Sequence, residues 1–328
     1  MSTRREFLIS TAALSITAGL GANIYPAFAD EWPQRTVNII CPFSAGGNTD
    51  GIARMTAQRL TDTLGKQFIV ENKPGAGGAI AADFVAKSEP DGYTLFVTAL
   101  PVMAIVPVIN KVRYDSLKDF TPISNIATNA FVLVVNKNSP VKTLKEFVAY
   151  VKASFGKLTY SSAGVGSLNH LSMALFLKKA GLEMIHVPYK GNAPALVDVV
   201  GGHIDAMFSN FSDALPQAKG GNVRMIALSS DKRSPLAPEV PTVAESGYPD
   251  YNVFTWNGLM APAKTPKPIV DKLSATVVAA IKDPEFAERL AKFGVDPLGS
   301  TSAEYSAMLK RDLATWREAV HVAGIKQN

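Results

Sequence analysis

The chain has 328 residues, a net charge of +5 and a single cysteine, and 47% of its residues are hydrophobic. One thiol excludes an internal disulfide framework, and the dispersed basic residues leave no electrostatic footprint for nucleic acid. The mild positive balance suits anionic ligands at low salt, and beyond the first residues no segment is long and apolar enough to span a bilayer.

The first element in chain order is a targeting segment. Thr3-Arg4-Arg5-Glu6-Phe7-Leu8 has the form of a twin-arginine export signal, with Ile9 in the place often held by lysine. A weakly apolar stretch over 9–20 follows, and Ala27-Phe28-Ala29 forms a small-x-small cleavage site. The expected export signal covers 1–29; a general-secretory signal that carries two arginines is the other reading. The mature chain, Asp30 to Asn328, is then periplasmic and long enough for two modest domains or one large one.

Strand-like and helix-like segments alternate along the mature chain, the pattern of an α/β architecture with mainly parallel strands. Strands are predicted over 37–41, 68–71 and 94–97, with helices over 50–64 and 79–87 between them. A second series places strands over 131–135, 158–161, 185–187, 206–208 and 225–228. Its helices run over 144–154, behind the capping box Thr143-Leu144-Lys145-Glu146, over 167–181, and from about Pro194 to Gly201-Gly202. After a loop containing Pro235, Pro238 and Pro241 come a strand over 253–260 and helices over 268–281, 285–293 and 303–322. A helical tail needs a surface to cover, and the simplest packing returns the chain to the first domain. The expected organisation is therefore lobe 1 from 30–130 plus 254–328 and lobe 2 from 131–253. Crossings near 128–134 and 251–256 would form a two-segment hinge.

Three glycine-rich turns follow predicted strands: Pro42-Phe43-Ser44-Ala45-Gly46-Gly47-Asn48, Lys73-Pro74-Gly75-Ala76-Gly77-Gly78 and Ser161-Ser162-Ala163-Gly164-Val165-Gly166-Ser167. In parallel α/β sheets ligands gather at such strand ends, and helix N-termini offer backbone N–H groups to anions. Phosphate fits poorly. Gly65-Lys66 and Gly156-Lys157 lack the hydroxyl of a P-loop, and Ile80 stands where a dinucleotide fingerprint needs its third glycine. Tight turns that simply need small residues are the plain alternative. Carboxylate fits better: N–H groups over 44–48 can hold one oxygen pair, and Ser162, Gly166 and Ser167 another from the second lobe, so a small dicarboxylate is gripped from both sides. Ser167 reads equally as a helix N-cap. His170 either faces the cleft or packs under a loop. Tyr189 is a candidate cleft wall, Lys190 a solvated charge, and Asp50 a cap of its own helix. Phe43 is a possible apolar wall, and Trp256 reads as core. Enzyme constellations are thin: there is no H-E-x-x-H, no G-x-S-x-G elbow and no evident acid–base pair. Cys41 reads as a buried small hydrophobe rather than a nucleophile.

Seven motifs in order carry a resemblance. They are Pro42-Phe43-x-x-Gly46-Gly47-x-x-Asp50, Val70-Glu71-Asn72-Lys73-Pro74-Gly75-Ala76-Gly77-Gly78, Pro90-Asp91-Gly92-Tyr93-Thr94-Leu95, Gly166-Ser167-x-x-His170-Leu171, His186-Val187-Pro188-Tyr189-Lys190-Gly191, Pro241-Thr242-Val243-Ala244-Glu245-Ser246-Gly247 and Trp256-Asn257-Gly258-Leu259-x-Ala261-Pro262. With these the chain resembles the substrate-binding proteins of tripartite tricarboxylate transporters, the Bug family of periplasmic receptors, over nearly all of its mature length. The resemblance implies a two-lobed periplasmic-binding-protein fold, type II-like, that closes on an organic anion without catalysis or cofactor. It implies that the turn bearing Ser162, Ala163, Gly166 and Ser167 holds the ligand carboxylate. Waters fixed by Phe43, Ser44, Ala45, Gly46 and Gly47, and by the loop near Thr98, would meet the ligand from the other side. Asn48 departs from a frequent proline, and Val165 from a frequent polar or small residue close to the ligand turn. The expected partners are a small carboxylate and, transiently, integral-membrane permease subunits; a monomer and no nucleic acid are expected. A receptor that reports to a membrane sensor kinase, a small-molecule enzyme on the same lobes and a nucleotide-binding module are the rival readings.

Overall fold

The computed structural model describes residues 32–322, so the export signal over 1–29 lies outside the described residues. Strand β1 (Val37–Cys41) is buried along nearly its whole length, and it pairs in parallel with β2 (Phe68–Asn72) and β3 (Thr94–Ala99). Burial on both faces is why Ile39, Ile40 and Cys41 are consecutive apolar residues with no alternation. Helix α1 (Asn48–Leu64) follows the first glycine-rich turn and buries Ile52, Ala53, Ala57 and Leu60. It ends at Gly65, whose left-handed φ of 71° lets its N–H reach the Thr61 carbonyl. Helix α2 (Ala79–Ala86) links β2 to β3, and a helical passage, Pro101–Ile105 continuing as Val106–Ile109 and buried except at Pro107, follows β3.

The central element is β4 (Phe120–Asn136), seventeen residues long. Its first part pairs antiparallel with β9 (Phe254–Pro262), down to Ala130 opposite Phe254. From Phe131 onward it pairs instead with β7 (Ala206–Asn210) and β8 (Val223–Leu228). Strand β7 continues the second group through β5 (Thr159–Ser162) to β6 (Ile185–Pro188), both joined in parallel. The second half of β4 serves two cores. Phe131, Leu133 and Val135 enter the larger cluster with Phe147, Phe176 and Phe208. Val132 and Val134 enter the smaller one with Val199, Met207 and Leu215. The strand's period of two sends alternate side chains to opposite faces, and each fully buried valine stabilises by about 1.5–3 kcal/mol.

The fold is α/β, as expected, but its sheets are mixed rather than mainly parallel. The outer pairs are parallel, while β3–β9, β4–β9, β4–β7 and β4–β8 are antiparallel. The cause is the route of the chain, since β4 and β9 run between the two strand groups in opposite directions. The helical tail covers the first group. Helix α9 (Ser302–Val322) packs on β4, and Trp256 of the neighbouring β9 donates from Nε1 to Asp312 Oδ2 at 2.7 Å and meets the Tyr305 ring edge-on at 5.2 Å. Trp256 is therefore core.

Candidate functional site

The 42–47 turn is built from its own helix. Asp50 Oδ2 accepts the Gly46 N–H and Arg54 Nε, each at 2.9 Å, and Oδ1 accepts Asn72 Nδ2. Asn72 also donates to the Phe43 carbonyl at 2.9 Å. Burial pushes the Asp50 carboxyl up, but Arg54, the Gly46 N–H and Asn72 together outweigh it and hold the group below its ordinary range. Asp50 thus organises the turn rather than standing at the N-cap, which is Gly47. The neighbouring Cys41 thiol faces the Phe43 carbonyl, and burial pushes it up to about 12, far from a reactive thiolate.

The 162–167 turn is equally self-contained. Ser162 Oγ lies 2.7 Å from His186 Nε2 and accepts the Gly164 N–H at 3.1 Å. The Gly166 N–H donates to His170 Nδ1 at 3.3 Å. Ser167 caps helix α4 (Leu168–Ala180), its hydroxyl accepting the His170 N–H at 3.3 Å. Behind the turn the rings of Tyr160, His186 and His170 are stacked, with the two imidazole centroids 4.1 Å apart. Burial, with the charge of His170, drops His186 to about 4, and burial also lowers His170. Both histidines are therefore neutral acceptors and donors near neutral pH.

The two turns face each other. Ser44 Oγ donates to the Lys190 carbonyl at 3.0 Å, and Asn48 Nδ2 donates to Ser212 Oγ at 2.8 Å. The Asn48 N–H donates to Asp213, which stands half-buried in the first turn of helix α6 (Phe211–Lys219). Asp213 also accepts Asn192 Nδ2, yet burial dominates and lifts its carboxyl to about 7. An amide network continues inward. Asn129 Nδ2 donates to Asn48 Oδ1 at 3.1 Å, Asn210 Nδ2 to Asn129 Oδ1 at 2.9 Å, and Asn257 Nδ2 to Thr49 Oγ1 at 3.0 Å. On the far side Asn169 Nδ2 donates to Asn192 Oδ1 at 2.9 Å. Satisfied buried amides of this kind fix one geometry, and removing any member leaves a partner without its bond.

Two cavities, an inner and an outer, border the turns. The inner one, about 30 Å³, has room for about one water molecule. Phe43, Gly47, Ala163, Ser167, Asn169 and Asn192 are among its walls. The outer one, about 380 Å³, shares Phe43 and Ala163 with it and adds Tyr189. Of the residues expected at the site, Phe43, Gly47, Ala163, Ser167 and Tyr189 therefore line the cavities. Ser44 sits at the contact between the turns, and Ala45 and Gly46 are exposed. Ser162 and Gly166 are engaged inside their own turn. A Cβ on Gly166 would lie 2.5 Å from Ile109 Cδ1. His170 lines neither cavity; its ring is in the stack. Thr98 is completely buried, its carbonyl accepting Asn257 Nδ2 at 3.4 Å. Tyr189 donates its hydroxyl to Asp198. The sequence pattern marks Asn48 only as a backbone donor, whose N–H here goes to Asp213, and does not mark Asn129, Asn169, Asn192, Asn210, Asn257 or Asp213 as site residues.

Comparison with known proteins accounts for this architecture. Residues 52–325 match the family model described as tripartite tricarboxylate transporter family receptor. The chain is 38% identical over 305 residues to the UPF0065 protein in the gbd 5′ region of Cupriavidus necator, covering 92% of each chain. Among solved structures, an R. palustris protein with adipate is 34% identical with a TM-score of 0.87, covering 90% of this chain and 99% of its own. MatC from Rhodopseudomonas palustris with bound malate is also 34% identical, with a TM-score of 0.83, covering 88% of this chain and all of its own. Among the described residues no helix is long and apolar enough to cross a membrane. The chain belongs to the tripartite tricarboxylate transporter receptor family.

Proposed function

We propose that this protein is an exported periplasmic receptor. It captures a small organic carboxylate between the 42–47 and 162–167 turns and delivers it to integral-membrane permease subunits without chemical change. Lobe 1 comprises 30–130 and 254–328, lobe 2 comprises 131–253, and the hinge runs through the β4 passage at Ala130–Phe131 and the entry to β9. The observation that carries this reading is the meeting of two strand-end turns across cavities walled by neutral amide and hydroxyl donors. Such donors suit a carboxylate that must be both held and released. Malate and adipate bound to two relatives support the ligand class. The raised carboxyl of Asp213 is compatible with an anion nearby, because a partly protonated acid behind the Asn48–Asn192 wall repels it less. Export by the twin-arginine segment at Arg4-Arg5 belongs to the same reading, and expression with Arg4 and Arg5 both changed to lysine should leave the protein in the cytoplasm.

The deciding measurement is thermal denaturation of residues 30–328 with a panel of carboxylates and with nucleotides. A ligand that binds only the folded state raises the melting temperature in proportion to the logarithm of its excess over Kd. A rise with carboxylates and none with nucleotides is the expected result. A rise with nucleotides alone would overturn the reading.

A further inference from the structure

Strands β5 and β6 run in parallel, so their C-terminal ends lead toward the site, while Thr159 and Ile185 start them side by side at the opposite end. At that opposite end helix α3 (Leu144–Ala153) runs into a turn, Ser154-Phe155-Gly156-Lys157, that delivers the chain to β5. Phe155 in this turn breaks two rules at once. Its φ is +50°, in the left-handed region that suits glycine or asparagine and strains a bulky side chain. It is also 88% exposed, so no packing within the chain offsets that strain. The surroundings are basic. Lys152 lies in the last turn of α3, Lys157 two residues after Phe155, and Lys178 and Lys179 in the last turn of α4. The two helix ends converge: the Ile185 N–H donates to the Leu158 carbonyl at 2.8 Å, and a Cβ on Gly156 would lie 3.7 Å from Glu183 Cβ. All four lysines are exposed, and the lysine ion pairs among the described residues lie elsewhere. The carboxylates at this end are Glu183 and Asp205, and Asp205 is occupied by the Thr159 N–H and hydroxyl. The helix dipole accounts for lysines in a last turn, but for neither Lys157 nor the outward ring of Phe155.

An aromatic ring held outward against its backbone preference, with unpaired cations around it, fits a surface that is negatively charged above and apolar beneath. We propose that this end of the second strand group is a contact site for an anionic lipid bilayer. Lys152, Lys157, Lys178 and Lys179 meet the headgroups, and Phe155 inserts at the boundary with the acyl chains. Lysines act as point charges that need no fixed geometry in their partner, which suits a fluid lipid surface better than a shaped protein one. One ring and four charges give reversible binding rather than an anchor. Because β5 runs from this end to the 162–167 turn, a protein held here presents that turn away from the bilayer. The contact therefore keeps an exported receptor at the membrane while it loads; it is not the delivery contact. The proposal rests on export and is independent of what the cavities bind.

The test is flotation of residues 30–328 with vesicles of mixed phosphatidylglycerol and phosphatidylcholine, and with phosphatidylcholine alone. Wild type should float with the anionic vesicles and not with the neutral ones, and the bound fraction should fall as salt rises. Lys152→Gln/Lys157→Gln should weaken binding about tenfold or more. Phe155→Asn should weaken it about fivefold or more and at the same time raise the melting temperature, since asparagine tolerates the left-handed φ. Brominated acyl chains should quench the emission of Phe155→Trp more than that of wild type. Absence of wild-type flotation with anionic vesicles would overturn the proposal. So would flotation that either the lysine pair or Phe155→Asn leaves unchanged, equal quenching of Phe155→Trp and wild type, or a melting temperature that Phe155→Asn lowers. None of these results touches the receptor reading, which the carboxylate panel tests separately.

Discussion

The two turns at the site are built to opposite plans. The 162–167 turn is tied into its own strand group: Ser162 to His186, Gly166 to His170, Ser167 to the helix it caps. The 42–47 turn is also organised by Asp50 and Asn72, but it and the helix end it opens add bonds that reach across, from Ser44 to the Lys190 carbonyl and from Asn48 to Ser212 and Asp213. The 162–167 turn is therefore a cradle whose shape does not depend on its opposite, and the 42–47 turn is a latch whose cross-bonds exist only when the two groups are together. Under the proposed closure the cradle holds ligand in either state, while the latch supplies the difference between states that drives closure.

The comparison can be broken at several points. Gly166→Leu should have the largest effect. A φ of +79° is left-handed, and the new side chain meets Ile109. Backbone strain of about 1–2 kcal/mol and overpacking of about 1–3 kcal/mol should lower the melting temperature and remove carboxylate binding with secondary structure intact by circular dichroism. Normal binding in that variant would take the cradle out of the site. Next comes Asn48→Ala, which leaves Asn129 and Ser212 short of a partner in buried surroundings, at about 1–3 kcal/mol. If the turn is a latch, small-angle scattering should show a larger radius of gyration without ligand, whereas Ser162→Ala should lower stability and leave the radius unchanged.

Acid tests the two sets of contacts separately, because the group behind the 162–167 turn and the group that meets the Asn48 N–H titrate in opposite senses. His186, at about 4 when folded against an ordinary value near 6.5, contributes stability that is full above 6.5 and lost as pH falls toward 4. Asp213 is at about 7 against an ordinary 3.8, so the folded state binds the extra proton between those values. Its contribution is full below 3.8 and lost as pH rises toward 7. The opposed slopes should give the wild type a shallow profile of melting temperature between pH 4 and 6.5. Asp213→Asn should steepen the fall on the acid side, and His186→Phe should reverse the slope. A parallel profile in all three proteins would refute the assignment. The smallest effect is expected from Ser44→Ala, which removes one exposed hydrogen bond worth about 0.5–1 kcal/mol and should appear as faster ligand release in stopped-flow traces rather than as lost stability.

Much of the fold was legible because its strands and caps follow simple rules. The strand over 37–41, the capping box at Thr143 and Glu146, and the Ser167 and Gly181 ends of helix α4 stand where the pattern placed them. What escaped notice lacked periodicity. The first half of β4 contains Pro122 and two bulges and is covered on both faces, so no alternation marks it. Pro101–Ile109 is apolar throughout and buried except at Pro107, and helix α6 carries Pro216 in its interior. At the site, glycine turns announce themselves, but the buried asparagines do not, because a lone asparagine reads first as a turn residue. One signal was available. Asn257 stands in a strand that is mostly apolar and buried, and an amide there needs a buried partner, here Thr49 and the Thr98 carbonyl.

One consequence follows from the register of β4 and β9. Ala130 and Phe254 face each other in the ladder, so the chain leaves the first strand group and re-enters it at adjacent positions. Under the proposed two-lobe division, residues 131–253 form a cassette, spliced into a ladder that a two-residue turn of the Asn-Gly type could close in its place. A chain carrying that short hairpin instead of the cassette would keep the β1–β3, β9 and β4 pairings and the helices that cover them. Grafting cassettes from relatives at the same two points would then exchange one wall of the cavities while the other stayed fixed, which turns ligand choice into a modular property of the chain.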